Sequence, residues 1–308
     1  MKDDSKGQAK TLVKREGARS LSEMLAVFAE RGQQKQDEPA QGEPTAPSEP
    51  QTATVIQLPL WAEAVRRMPN ELLRSALFSA RNRKQPRAYL KNADIAVLFD
   101  GCITYLGEEL RQDDETVWLQ LIHLAKEQPV GSVVEFTPYS FCKAIQWPIC
   151  KASYQRLRDC LGRMQATSLS VYSKRLGEGV SLSMIPKFSW HDENKQTLKK
   201  YRVQVAAELV KLFDGGHYSQ LEWAQRLALP VGIATWLHGY YASHREPYPV
   251  KLETLKRGAG ITTSSPARLR QLIEAALAEL VAAGFLESWE IKGDLVCVKR
   301  AQAEKGQG

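Results

Sequence analysis

The chain has 308 residues, 43% of them apolar, and a formal net charge of +7, which gives room for about two domains with cores of their own and a basic balance suited to a polyanionic partner. Five cysteines that never fall as C-x-x-C argue against a disulfide framework or a zinc site. The longest apolar runs are short and interrupted by charge, so no membrane span is expected. The opening MKDDSKGQAK has no apolar signal-peptide core, and the reading is a soluble cytoplasmic protein.

Residues 1–54 hold 8 Lys/Arg and 9 Asp/Glu and read as a disordered segment carrying one short helix. In SLSEMLAVFAER (20–31), Ser20 and Glu23 stand at capping-box spacing, and Leu21, Met24, Leu25 and Phe28 then form a single apolar stripe. A helix this short is marginal alone. Leu21, Leu25 and Phe28 are therefore expected to dock on a partner protein, with the chain's own body as the alternative. Residues 36–54 contain four prolines and no large apolar residue, as a linker would.

Residues 57–61, QLPLW, place Gln57, Leu58, Leu60 and Trp61 directly after that linker, either as the first edge of a core or as a peptide displayed for a partner. The stretch 65–91 follows with eight basic side chains (Arg66, Arg67, Arg74, Arg81, Arg83, Lys84, Arg87, Lys91) and one acid, Glu71. Residues 55–95 are expected to form a basic helical segment facing a phosphate backbone.

From Trp118 onward an internal repeat appears. WLQLIHLAKEQP (118–129) and WLHGYYASHREP (236–247) both begin Trp-Leu and end in Pro. Each is followed by a β-like run, a small helix and a second helix holding Arg-Leu-Arg. Then come hairpin signals, SLSVYSKRL-GEG-VSLSMIP (168–186) and FLESWEIK-GD-LVCVKR (285–300). Helix, strand, helix, helix, ribbon, twice over, predicts a mainly α chain with small β-ribbons: tandem winged helices over 96–213 and 214–300, with a tail at 301–308.

The helix predicted over Ala152–Ala166 turns Tyr154, Leu157, Cys160, Leu161 and Met164 inward and Gln155, Arg156, Asp159 and Arg163 outward, with Lys151 near its start. The helix over Pro266–Ala283, capped by Ser264 or Ser265, turns Leu269, Ile273, Leu277 and Leu280 inward, with Arg268 and Gln271 outward and Arg270 flanking. Arg pairs bidentately with guanine and Gln with adenine in the major groove, so these two helices are candidate readers of DNA. Lys174, Arg175, Lys292 and Lys299, with Arg300, would put positive charge on the wings for phosphate contact.

No phosphate-binding Gly loop, no nucleophile elbow and no close histidine pair occurs. Asp113, Asp114 and Glu115 read as acids capping the helix at Trp118. No catalysis, metal or cofactor is expected.

QLPLWAEAVRRMPNELLRSALFSARNR, ITYLGEEL, VWLQLIHLA, YSQLEWAQRLAL and WLHGYYASH, in this order, resemble the TrfA-type plasmid replication initiators over roughly residues 57–300. The resemblance implies a protein that binds direct repeats (iterons) in double-stranded plasmid origin DNA as a monomer through tandem winged helices. It further implies opening of an adjacent AT-rich segment with the host initiator DnaA, loading of the helicase DnaB and contact with the polymerase sliding clamp. Dimers of such proteins bind origins poorly and take part in copy-number control. Gln57, Leu58, Leu60 and Trp61 match the Gln-Leu-x-Leu-aromatic peptide that such proteins present to the clamp. A winged-helix transcriptional repressor and a nicking initiator enzyme are the alternatives, the second disfavoured by the missing histidine pair.

Overall fold

The computed structural model of the chain describes residues 57–301 apart from 130, 192, 193 and 195. The predicted Leu21–Leu25–Phe28 helix, the proline-rich linker and residues 302–308 lie outside the described residues.

In chain order the elements begin β1 (Val65–Pro69), α1 (Asn70–Leu73), β2 (Phe78–Ser79), β3 (Tyr89–Ile95), β4 (Gly101–Glu108), β5 (Leu110–Arg111) and α2 (Gln112–Ala125). There follow β6 (Val133–Phe136), α3 (Pro138–Ala144), α4 (Lys151–Gln165), β7 (Ser168–Ser173), β8 (Gly179–Leu182), β9 (Lys187–His191), β10 (Thr197–Gln204) and α5 (Leu209–Phe213). The remainder is β11 (Tyr218–Glu222), α6 (Trp223–Ala228), α7 (Ile233–Ala242), β12 (Val250–Lys251), α8 (Leu252–Gly258), α9 (Pro266–Ala282), β13 (Leu286–Lys292) and β14 (Leu295–Arg300).

The basic stretch expected to be helical is mostly extended, which corrects that expectation. Pro59, Pro69 and Pro86 interrupt it, each removing an N–H that a helix interior needs, and only the single turn of α1 remains helical. β1 pairs antiparallel with β11, Val65 opposite Glu222 and Pro69 opposite Tyr218. β3 pairs with β4.

The order helix, strand, helix, helix, ribbon occurs twice. In the first copy α2, β6, α3 and α4 precede a sheet of order β6-β10-β9; in the second, α7, β12, α8 and α9 precede β12-β14-β13. The first strand of each copy pairs with the last strand of its ribbon, so the ribbon of the first copy is β9–β10. The hairpin expected there, β7–β8, belongs instead to a four-stranded sheet of order β3-β4-β7-β8. Its alternation buries Ile103, Tyr105, Leu169, Val171, Val180 and Leu182 on one face, and β4, a strand the sequence reading had not placed, supplies the edge that takes it.

Two apolar clusters result. One runs from Leu58 through α2, α4 and the four-stranded sheet to Leu221 and Trp223. The other gathers α7, α8, α9 and Val296, and takes in Ala80 from far upstream. No helix among the described residues is long and apolar enough to cross a membrane.

Candidate nucleic-acid interface

Helix α2 decides which basic side chains can face a ligand. Every residue of it except Leu124 is buried, including Gln112, Asp113, Asp114, Glu115, Gln120 and His123. Buried polar groups need partners, and two arginines of the basic stretch supply some of them. Arg66 gives Gln120 two hydrogen bonds, at 3.1 and 2.8 Å, with its guanidinium over the Trp223 ring. Arg87 bonds Asp114 at 2.7 Å and Asp113 at 2.9 Å. Elsewhere Arg74 bonds Ser243 and Arg81 pairs with Glu109 at 3.4 Å. Five of the eight basic side chains are thus engaged with the protein's own groups, two of them, Arg81 and Arg87, with acids, while Arg83, Lys84 and Lys91 stand exposed. The three acids do serve the start of α2, Asp114 accepting from the Arg111 amide at 2.8 Å. Their larger role is to anchor Arg87, Arg156, Arg163 and Arg226.

The same accounting corrects part of the predicted DNA surface. Arg163 bonds Asp114 at 2.8 Å with its side chain 13% exposed. Burial alone would lower its basicity, but Asp114 outweighs that and raises it. Arg156 reaches Asp113 at 3.2 Å and lies over Trp147, 3.9 Å from the ring centroid. Burial works to raise the Asp113 carboxyl, yet Arg87 and Arg156 together hold it below its ordinary value. Arg175, expected on a wing, pairs with the buried Glu71 at 2.7 Å, beside the β7–β8 hairpin; Lys174 there pairs with Asp100 at 2.6 Å, but both side chains of that pair are exposed, so it stays open to a phosphate. Arg270 bonds Glu274 at 2.9 Å and the carbonyls of Gly293 and Ile291 at 2.8 and 3.2 Å, so it holds the turn of the β13–β14 ribbon onto α9.

What remains outward forms a stripe on each helix. On α4, Lys151, Gln155 and Arg158 recur at i, i+4 and i+7, with Gly162 following on that face. Gln155 is exposed and bonds only its helix neighbours, donating to Asp159 at 2.7 Å and accepting from Arg158. Arg158, which the sequence reading left out of the site, also lies 5.3 Å from the centroid of the half-exposed Trp190 ring. This spacing was the signal that could have found it. On α9 the Ser265 hydroxyl accepts from the Arg268 amide at 3.3 Å, Pro266 opens the first turn, and Leu269, Ile273, Ala276, Leu277 and Leu280 are buried. Arg268 and Gln271 are exposed, joined to each other at 3.4 Å. Lys292 and Lys299 sit exposed on the β13–β14 ribbon, paired to Glu290 at 3.1 Å and Glu287 at 2.8 Å. Exposed pairs of this kind are weak and exchange readily with a phosphate. On the β9–β10 ribbon, also missed, stand Lys187, Lys199, Lys200 and Arg202.

The segment QLPLW is seated rather than displayed, which corrects the picture of an accessible peptide. Leu58 is 3% exposed and Trp61 8%, while Leu60 is 65% exposed. Gln57 donates to the Lys126 carbonyl at 3.1 Å, and the Trp61 indole N–H to His123 Nδ1 at 3.0 Å. Lys126 Nζ in turn reaches the Trp61 carbonyl and Glu63. With Nδ1 accepting, the His123 proton sits on Nε2, 2.9 Å from Glu63 Oε2, an assignment made from the network. Burial lowers the imidazole's pKa, against the Glu63 hydrogen bond, and keeps the ring in that neutral form. Ala125, Gln128, Pro129, Ser132, Val134 and Val205 line the space beside Leu58.

The fold is shared with a known pair of domains. A crystal structure of domains 2 and 3 of RctB aligns with TM-score 0.53 and 10% identity, covering 76% of this chain and 98% of that one. A crystal structure of the Pi initiator protein in complex with iteron DNA aligns more loosely, with TM-score 0.48 and 11% identity over 79% of this chain and all of that one. Residues 49–300 match the family model described as TrfA protein, and the chain belongs to that family. The plasmid replication initiator protein TrfA of Escherichia coli is 39% identical over 242 residues, 78% of this chain; the chain spans 63% of that relative's length.

Proposed function

We propose that this chain is a plasmid replication initiator that binds the direct repeats of its origin through two winged helices, α4 and α9 reading the major groove and the β9–β10 and β13–β14 ribbons holding phosphates. The observation that carries the reading is the pair of polar stripes left outside the internal ion-pair network. Lys151, Gln155 and Arg158 form one and Arg268 and Gln271 the other, each on the helix that precedes a ribbon carrying exposed lysines. Family membership and the name of the 39% identical relative support it. The work done is binding and deformation of origin DNA without a chemical step, in the cytoplasm, by a monomer, with a dimer acting in copy-number control. Host DnaA, DnaB and the sliding clamp are the proposed partners. Clamp contact through Gln57, Leu58, Leu60 and Trp61 requires that segment to leave its seat, because only Leu60 is free to engage first.

A footprint of the purified protein on the DNA beside its gene tests the reading. Protection of several direct repeats of about 20 base pairs, one for each pair of modules, is the expected result, and protection of a lone operator would favour a repressor instead. Arg268→Ala is expected to cost about 1–3 kcal/mol of binding and relax specificity at one position, with the melting temperature unchanged. Arg163→Ala is expected to do the reverse, lowering the melting temperature while leaving base preference intact. Base-by-base binding scans alongside thermal melts separate the two. Loss of base preference in Arg163→Ala at wild-type stability would overturn the assignment of that arginine to the interior.

A further inference from the structure

The loop Arg81–Gln85 precedes the first repeat in sequence, yet it lies against the second. The Ala80 amide donates to the Ala259 carbonyl at 2.8 Å, across to the turn between α8 and α9. At the same junction Gly260, with φ +66°, brings its backbone so close that an added Cβ would stand 3.0 Å from Ser79 Cβ. Only glycine adopts that conformation there at little cost.

The loop is also held from beneath. Arg111, 1% exposed, donates to the carbonyls of Asn82, Gln85 and Pro86 at 2.8 to 2.9 Å while Glu109 accepts from its other edge at 2.8 Å. Asn82 closes the loop from within, its side chain accepting from the Lys84 amide at 2.9 Å. A buried guanidinium spent on three loop carbonyls fixes where Arg83 and Lys84 stand, and both are exposed.

Between this loop and the start of α9 is a cleft of about 830 Å³. Arg81, Arg83 and Arg268 line it with Asn82, Gln85 and Thr263, and among the described residues no carboxylate lines it. Arg81 is compensated from behind by Glu109, but Arg83 and Arg268 are paired with no acid among the described residues. Cations fixed around one opening without a counter-charge repel each other, and a polyanion relieves that repulsion.

We infer that the Arg81–Gln85 loop is part of the DNA-contacting surface of the second helix pair, with Arg83 and Lys84 gripping backbone phosphates beside the stretch that α9 reads. The inference rests on the reading of α9 as a DNA-facing helix and adds to it a contact from a distant part of the chain. Phosphate contacts position a protein without reading sequence, so the loop sets the register of Arg268 rather than the choice of base.

The test compares wild type, Arg83→Ala/Lys84→Ala and Arg268→Ala on a duplex of the direct repeats beside the gene and on a scrambled duplex, by fluorescence anisotropy over a range of salt. Loss of two phosphate contacts should make the slope of log K against log[salt] shallower by roughly 1.8 and weaken binding on the order of 10- to 30-fold near physiological salt. Both duplexes should lose affinity alike, base preference should persist, and the melting temperature should match wild type. Wild-type slope and affinity in the loop variant, with Arg268→Ala impaired, would overturn this inference and leave the DNA reading of α9 standing. Full affinity in Arg268→Ala as well would instead overturn that reading.

Discussion

Trp61→Ala should lower the melting temperature on the order of 10 °C. The indole is 8% exposed, its N–H is bonded to His123, and Arg67 and Lys126 lie within 6 Å of its ring. Truncating a buried tryptophan costs about 3–5 kcal/mol, and a domain of this size loses about 2–4 °C for each. Part of that loss is specific to this site, because removing the indole leaves His123 Nδ1 buried without a donor. Leu60→Ala, on a side chain 65% exposed, should melt within a degree or two of wild type. Scanning calorimetry of the two variants checks the contrast. If both melt with the wild type, the segment is not seated in solution. If the contrast holds, clamp binding by this segment must compete with its own folding. A clamp titration should then show Leu60→Ala losing affinity with stability intact.

The repeat was legible because its signals are local. The helices expected over Ala152–Ala166 and Pro266–Ala283 occupy Lys151–Gln165 and Pro266–Ala282, and the cap is Ser265, one of the two serines named for it. The fate of individual arginines was not legible, because their partners lie far along the chain: 49 residues separate Arg163 from Asp114, and 104 separate Arg175 from Glu71. A helical wheel places both Arg163 and Gln155 outward on α4, and only the packing of α2 against one flank of that helix distinguishes them. Hairpin signals failed in a related way. The Gly177–Gly179 turn fixes β7 to β8, but nothing within the hairpin says that β4 will take its open edge. Charge density likewise measures how many cations a stretch holds and not which way they face, so in a run read as a phosphate surface five of the eight side chains are engaged with the protein's own groups.

The second large effect is expected at Arg226, which lies between α2 and α7. Its guanidinium is 1% exposed; it donates to the Thr235 carbonyl of α7 at 3.0 Å and to Gln112 of α2 at 3.3 Å, and faces Glu115 at 3.5 Å. Removing one partner of a buried ion pair strands the other, and Arg226→Met should cost about 3–5 kcal/mol. The penalty should depend on pH, in a direction that can be worked out. Burial raises the Glu115 carboxyl, with Arg226 and the Gln112 hydrogen bond pulling against it. A carboxyl raised in the folded state contributes stability at low pH that is lost as pH rises through its folded pKa. Without Arg226 that value rises further, so the variant should be more damaged at pH 8 than at pH 5. His238 adds to the same trend. Its imidazole is held down to about 3, chiefly by burial and then by repulsion from Arg226 and Arg300, so wild type loses stability as pH falls below about 6.5. Arg226→Met relieves part of that repulsion and softens the loss on the acid side. Glu115→Gln added to Arg226→Met removes the stranded charge while keeping an acceptor for Gln112, and should recover most of the stability at pH 8. Urea titrations of the three proteins at both pH values decide the matter: an equal penalty for Arg226→Met at pH 5 and pH 8, with no recovery in the double variant, would mean that lost packing and not the uncompensated carboxylate carries the cost.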